Sequence, residues 1–356
     1  MSVHNFNSGP SILPKSVYEQ AARAIIEFEN TGLSILEIGH RTNWFIQIME
    51  EARALVKELM GVGNEYEVLF LHGGATTQFM QVPMNFLDSE AVAAYTDHGI
   101  WGSKAITEAK VWGGVDVVQS SALSRYDHID ALQFNSTKHS YLHITTNNTV
   151  EGTQVHHLPE TNLPIVADMS SDIFSRPFPF SACSLIYAGA QKNMGAAGVT
   201  MVALRMNDLP KVSRNIPPIM DYRKHIQANS LLNTPPVFAV YVSLLTLRWI
   251  KEQGGLAVME KMNNEKSQLL YSTLDALPLF STHVNPTSRS LMNAVFFIED
   301  ELLQQQFLDE CKELGMIGVK GYRTVGGIRV SMYNALPLNS VQEFCSLMKD
   351  FARRKG

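Results

Sequence analysis

A chain of 356 residues, 45% apolar and 18% charged, carries enough apolar material for a substantial core and for two domains. Its formal net charge of -5 and the lack of any Lys/Arg run argue against a nucleic-acid partner, leaving anionic small molecules open to locally convergent arginines. Cys183, Cys311 and Cys345 are widely spaced, odd in number and free of CxxC patterns, which suggests neither a disulfide framework nor a metal site and fits a reducing cytoplasm.

The opening MSVHNFNSGPSILP lacks a basic stretch followed by an apolar one, and no long apolar run follows, so neither a secretion signal nor a membrane span is expected. Trp44, Ile48, Ala52, Leu55, Val56 and Leu59 recur at helical spacing, and Gly61 offers a stop. EVLFL (67–71) reads as a strand, followed by Gly73-Gly74 and a helix from about Thr76. AVAAYTD (91–97), VDVVQS (115–120), YLHITT (141–146) and PIVAD (164–168) are further strands, with helical stretches such as WGSKAITEAK (101–110) between them. Two more strands, 184–188 and 199–204, flank Lys192. Such alternation favours an α/β fold with helices on both faces of a largely parallel sheet. After about residue 235 the texture changes: NTPP makes a break, and a long helical segment (237–277) is interrupted by Gly254-Gly255. MNAVFFI (292–298) and IRVSMY (328–333) then read as strands, and 302–314 and 341–351 as amphipathic helices, the pattern of a smaller α+β domain.

The polar residues at strand ends carry the chemistry. In SLIYAGAQKNMGAAGVTMVAL (184–204), Lys192 stands between two apolar runs in a turn loosened by Gly189, Gly195 and Gly198. Loss of water there lowers an amine's pKa and makes it nucleophilic; the window alone leaves a structural lysine and a Schiff-base lysine both open. HGGATTQF passes from strand to helix, so backbone N–H groups and the helix dipole favour an anion at Ala75 and Thr76. Asp168 closes an apolar strand where clefts of open α/β sheets lie; it is either a turn former or a partner for a protonated ring nitrogen. Trp101 is either core or a flat surface for an aromatic cofactor. Pyridoxal 5'-phosphate would use all four features together: an amine for its aldehyde, a carboxylate at its pyridinium nitrogen, an aromatic face, and a phosphate cradle.

The chain resembles the phosphoserine aminotransferases of the class V aminotransferases, in FNSGPSILP, GHRTNWF, HGGATTQF, HGIWGSK, ADMSSD with SRP, IYAGAQKNMGAAGVT, NTPPVFAVY and GGIRVSMYNALP. The resemblance spans essentially the whole chain and is most specific in AGAQKNMG and GGIRVSMYN. It implies a fold type I pyridoxal-phosphate transferase: an N-terminal segment (1–15), a large domain with a mostly parallel seven-stranded sheet (16–257) and a smaller α+β C-terminal domain (258–356). By the same resemblance, Lys192 binds the cofactor aldehyde, Asp168 pairs with the pyridinium and Trp101 stacks on the ring. Thr149 and Gln191 contact the phenolic oxygen or phosphate region, and Ala75 and Thr76 match the phosphate turn. Asn233 and Thr234 match residues that reach the phosphate from a second subunit of a homodimer. His40, Arg41 and Arg323, with Arg329, match residues holding the distal anion and the α-carboxylate; a planar guanidinium suits both anions. Tyr322 stands where the family often has histidine, and Thr76 where some members have arginine, departures that bear on phosphate affinity rather than reaction type. The implied reaction moves an amino group between L-glutamate and 3-phosphohydroxypyruvate, giving O-phospho-L-serine and 2-oxoglutarate in serine biosynthesis. In many organisms the family also serves pyridoxine biosynthesis. The alternatives are another class V aminotransferase, such as an alanine–glyoxylate aminotransferase, and a non-catalytic cofactor-binding protein. A cysteine desulfurase fits less well, since no cysteine lies in a glycine-rich loop.

Overall fold

The computed structural model describes residues 3–355, so residues 1, 2 and 356, which close the expected segment ranges, lie outside the described residues. Strand β1 (His4–Asn5) and helices α1 (Lys15–Ile26) and α2 (Asn43–Met60) lead into β2 (Tyr66–His72) and α3 (Gly74–Phe86). The chain continues through β3 (Val92–Asp97), α4 (Ile100–Ala109), β4 (Gly114–Ser120), β5 (His139–Thr145), the short hairpin β6 (Asn147–Asn148) and β7 (Thr153–Gln154), and β8 (Ile165–Asp168). After β9 (Cys183–Gly189) and β10 (Val199–Arg205) come α5 (Tyr222–Gln227), α6 (Val237–Glu252) and α7 (Leu256–Ala276). The rest is β11 (Asn293–Phe296), α8 (Glu301–Glu313), β12 (Met316–Ile317), β13 (Ile328–Ser331) and α9 (Leu338–Lys355). No described helix is long and apolar enough to cross a membrane.

The central sheet has seven strands in the order β2-β10-β9-β8-β5-β3-β4. β10 runs antiparallel to both its neighbours, and the other strands share one direction. Helices cover both faces, which is why β9 is buried along its whole length and why these strands are continuous apolar runs rather than alternating ones. The parallel strands therefore end at one edge of the sheet, and the loops leaving β2, β3, β5, β8 and β9 gather there. Lys192 sits among them because β9 must turn back after Gly189 to pair antiparallel with β10.

Helix α2 corrects the expected register of its buried stripe. Trp44 is 41% exposed, while Phe45, Ile48, Met49, Ala52, Leu55, Val56 and Met60 are buried. At 100° per residue Phe45, rather than Trp44, falls in line with Ile48, Met49 and Ala52. Gly61 ends the helix in the left-handed conformation (φ 63°), as its position in the sequence suggests. α1 and α5 carry no expectation from the sequence; α1 buries Val17, Ala21 and Ala24 in the core beside α6.

Beyond α6 a second core forms around Phe280, Phe296, Phe307, Phe344 and Phe351, between the antiparallel pair β11 and β13 and helices α7, α8 and α9. The N-terminal segment belongs to this core. β1 pairs in parallel with β12, and Phe6 is fully buried with its ring centroid 5.3 Å from that of Phe344. Chain ends far apart in sequence thus share one hydrophobic cluster. Phe6→Ala is expected to destabilise the protein by about 3–5 kcal/mol, the usual cost of emptying a buried phenylalanine site. Urea unfolding checks this, and a loss below ~1 kcal/mol would mean that the segment only decorates the core.

Candidate active site

Lys192 lies in the turn between β9 and β10, with Nζ 5.9 Å from the centroid of the Trp101 ring. Burial lowers its amine to about 8; the positive charge of Arg329 pushes the same way, and the carboxylate of Asp168 opposes. Asp168, at the carboxyl end of β8, is almost fully buried. Its Oδ1 accepts hydrogen bonds from Ser170 N (2.9 Å) and Ser170 Oγ (2.6 Å). Burial raises its carboxyl to about 6 against the pull of those bonds and of Lys192, with Asp172 pushing it further up. An amine and a carboxylate are thus held close to neutrality by desolvation, each partly restored by the other's charge.

Both line a cavity of about 250 Å³, together with residues 73–76, Trp101, Thr145 and Gln191. Residues 73–76 form the N-terminus of α3. Gly73 (φ 98°) and Gly74 (φ 70°) make the turn that presents it, and a Cβ on Gly73 would collide with Thr77 Oγ1. Such a terminus offers unpaired N–H groups and the positive end of a helix dipole to an anion. The buried Thr145 Oγ1 has no hydrogen-bond partner among the described residues, so the wall holds an unused polar group.

Trp101 stands in the first turn of α4 and donates from Nε1 to Thr149 Oγ1 (3.0 Å), which fixes the plane of the indole. Thr149 therefore reaches the cavity through Trp101. Its carbonyl accepts from Arg329 Nη1 (3.1 Å). Arg329, on β13, leaves a buried Nε without a partner and lies with its guanidinium carbon 5.8 Å from the Tyr322 ring centroid. Among the sequence-expected residues, Ala75, Thr76, Trp101, Asp168, Gln191 and Lys192 line one cavity in this chain. Arg41 and Arg323 are exposed and line none of its walls, and the half-buried His40 lies off it. Asn233 and Thr234 line a separate cavity of about 350 Å³ on the other side of Gly73, where the Thr234 carbonyl lies 2.7 Å from His72 Nε2.

Several residues of the site escaped the sequence reading. Ser170 holds Asp168, a contact foreshadowed by the Asp-x-Ser spacing. Ser11 donates its backbone N–H to the Gln191 carbonyl (2.9 Å) and its hydroxyl to the Lys192 carbonyl, so the N-terminal segment clamps the lysine turn. Asn193 Oδ1 accepts from Asn334 N (2.9 Å), tying that turn to the stretch after β13. Nothing local in the sequence announces contacts between residues so far apart along the chain.

The family described as Aminotransferase class-V matches residues 3–344. A phosphoserine aminotransferase of Flavobacterium psychrophilum is 49% identical over 355 residues, covering 99% of this chain and 100% of that protein. The solved phosphoserine aminotransferase from Bacillus circulans subsp. alkalophilus superposes with a TM-score of 0.97 at 40% identity, over 100% of this chain and 99% of that one. A phosphoserine aminotransferase of Trichomonas vaginalis, solved with PLP bound, gives 0.91 at 32% identity, over 98% of this chain and 100% of the other. These similarities, extending over nearly every residue, make the chain a member of the phosphoserine aminotransferase family of the class V aminotransferases.

Proposed function

We propose that this aminotransferase binds pyridoxal 5'-phosphate in the 250 Å³ cavity and moves an amino group between L-glutamate and 3-phosphohydroxypyruvate. The observation that carries the reading is the desolvated Lys192 amine opposite the buried Asp168 carboxyl, beside Trp101 and the N-terminus of α3. The donor set fits the group: an amine for an aldehyde, a carboxyl for a ring nitrogen, an indole for a flat ring, and unpaired N–H groups for a phosphate. When bound, the cofactor supplies an electron sink that lets an amino acid give up its α-proton.

The chain's own residues do the rest. With a pKa near 8, roughly a tenth of the Lys192 amine is neutral at pH 7, against less than about a thousandth for an ordinary lysine. The neutral Lys192 amine would hold the cofactor by condensing with its aldehyde with loss of water, and as a free amine it can accept a proton and return it. Asp168 keeps a proton on a nitrogen beside it, and Ser170 fixes the carboxyl in place for that task. Arg329 offers its unpartnered Nε to an α-carboxylate. Tyr322 packs against this guanidinium, and the exposed Arg323 beside it in the chain is the group assigned to a distal phosphate or γ-carboxylate. Asn233 and Thr234, which lie off this chain's cavity, fit a homodimer in which each subunit completes its partner's phosphate site.

The rate at which the cofactor-free protein takes up pyridoxal phosphate covalently is expected to rise with pH and level off above about 8, as Lys192 loses its proton. Borohydride reduction and peptide mapping should label Lys192; label on another lysine removes the assignment. Asp168→Asn, by deleting the charge that raises the Lys192 pKa, should shift that profile to lower pH. Arg329→Gln should weaken glutamate and phosphoserine alike, by about 2–5 kcal/mol in kcat/KM. Arg323→Gln should harm phosphoserine more than alanine, and equal losses would detach Arg323 from phosphate recognition. For the shared site, Asn233→Ala mixed with Lys192→Ala under subunit exchange should regain activity that neither has alone. No recovery with exchange confirmed would place each site within one chain.

A further inference from the structure

The tip of the β6–β7 hairpin touches three parts of the site at once. Thr149 Oγ1 accepts from Trp101 Nε1, the Thr149 carbonyl accepts from Arg329 Nη1, and Glu151 Oε1 accepts from Ile100 N (2.8 Å) at the start of α4. Glu151 is 4% exposed and forms no ion pair among the described residues, and its Oε2 is buried without a partner. Asn148 Oδ1 is a second buried acceptor without a donor. Both oxygens crowd the same point: a Cβ on Gly99 would lie 2.6 Å from Glu151 Oε2 and 2.8 Å from Asn148 Oδ1. Two orphaned acceptors at one spot lack a donor, and a proton on Oε2 would supply it.

We propose that Glu151 is a positioning residue that acts as the resident counter-charge of Arg329 and takes up a proton from solvent when a substrate carboxylate binds to that arginine. The proposal rests on the reading of Arg329 as the carboxylate-binding residue. Burial lifts the Glu151 carboxyl to about 7, while the hydrogen bond from Ile100 N and, more weakly, the positive charge of Arg329 draw it back toward the anion. An incoming carboxylate adds a negative charge that offsets the field of Arg329 at Glu151, which favours the protonated carboxyl. The other groups around Glu151 push unevenly. Asp97 at the end of β3, held by the hydroxyls of Ser103, Ser120 and Tyr126, also disfavours the anion. Arg125, Tyr126 and His283 line the 720 Å³ cavity that Glu151 borders and complete the set of titratable or charged groups facing it from that side. Since binding favours the protonated form, affinity must fall as pH rises through about 7.

The test uses cofactor-loaded enzyme and glutarate, which carries the two carboxylates of glutamate and no amine. In weakly buffered solution near pH 7, wild type should take up roughly half a proton per site on binding glutarate. Its affinity should fall up to about tenfold between about pH 6 and pH 8. Glu151→Gln keeps an acceptor for Ile100 N–H but cannot titrate, so proton uptake should vanish and the affinity should become flat with pH. Undiminished uptake in Glu151→Gln would overturn the proposal. An infrared difference spectrum of wild type should gain a protonated-carboxyl band on glutarate binding, a readout independent of how the variant folds; absence of the band also overturns it. Arg329→Gln separates the two readings: it should abolish glutarate binding at every pH, whereas wild-type binding by this variant would remove the underlying role of Arg329 instead.

Discussion

Removal of water from one amine and one carboxyl, at the open end of a parallel sheet, is the constraint on which this structure turns. Lys192 and Asp168 sit at the ends of adjacent strands, β9 and β8, each held toward its neutral form by burial and back toward its charged form by the other. Burial thus brings both groups within reach of titration near neutral pH, as is common for perturbed groups in a cleft. Were the loops around them more open, Lys192 would be an ordinary ammonium and Asp168 an ordinary surface carboxylate.

Everything that shapes the site protects this balance. The sheet delivers its loops to one edge because only β10 runs against the rest, and that reversal creates the Lys192 turn. The N-terminal segment, anchored through Phe6 in the second hydrophobic core, closes over the same turn through Ser11. Asn334, on the stretch after β13, grips Asn193 from the other side. The lysine turn is therefore held from two sides by segments far from it in the chain.

The β6–β7 hairpin ties Trp101, in the wall of the cavity, to Arg329 on β13. Thr149 orients Trp101 with its hydroxyl and Arg329 with its carbonyl, while Glu151 caps the helix that carries Trp101. Glu151 and Arg329 each keep an unpartnered polar atom in the buried interior. Such groups are costly in a resting protein.

Local pattern determined the elements themselves. Short apolar runs announced β2, β3, β5, β8, β9 and β10, and the helix stops at Gly61 and Gly254-Gly255 were visible because glycine readily takes the left-handed backbone that ends a helix. Lys192, Asp168, Trp101 and the glycine turn before α3 were legible as well, because each stands where an apolar run ends and a polar residue needs a reason. The tertiary structure decided what lies across from what. Ser11 on the lysine turn, Phe6 in the C-terminal core, Thr149 between Trp101 and Arg329, and Glu151 beneath α4 join residues far apart in the chain, and no period in the sequence encodes such pairs. Charge state was decided there too, since desolvation depends on what covers a group, and in this chain segments far apart in sequence cover it.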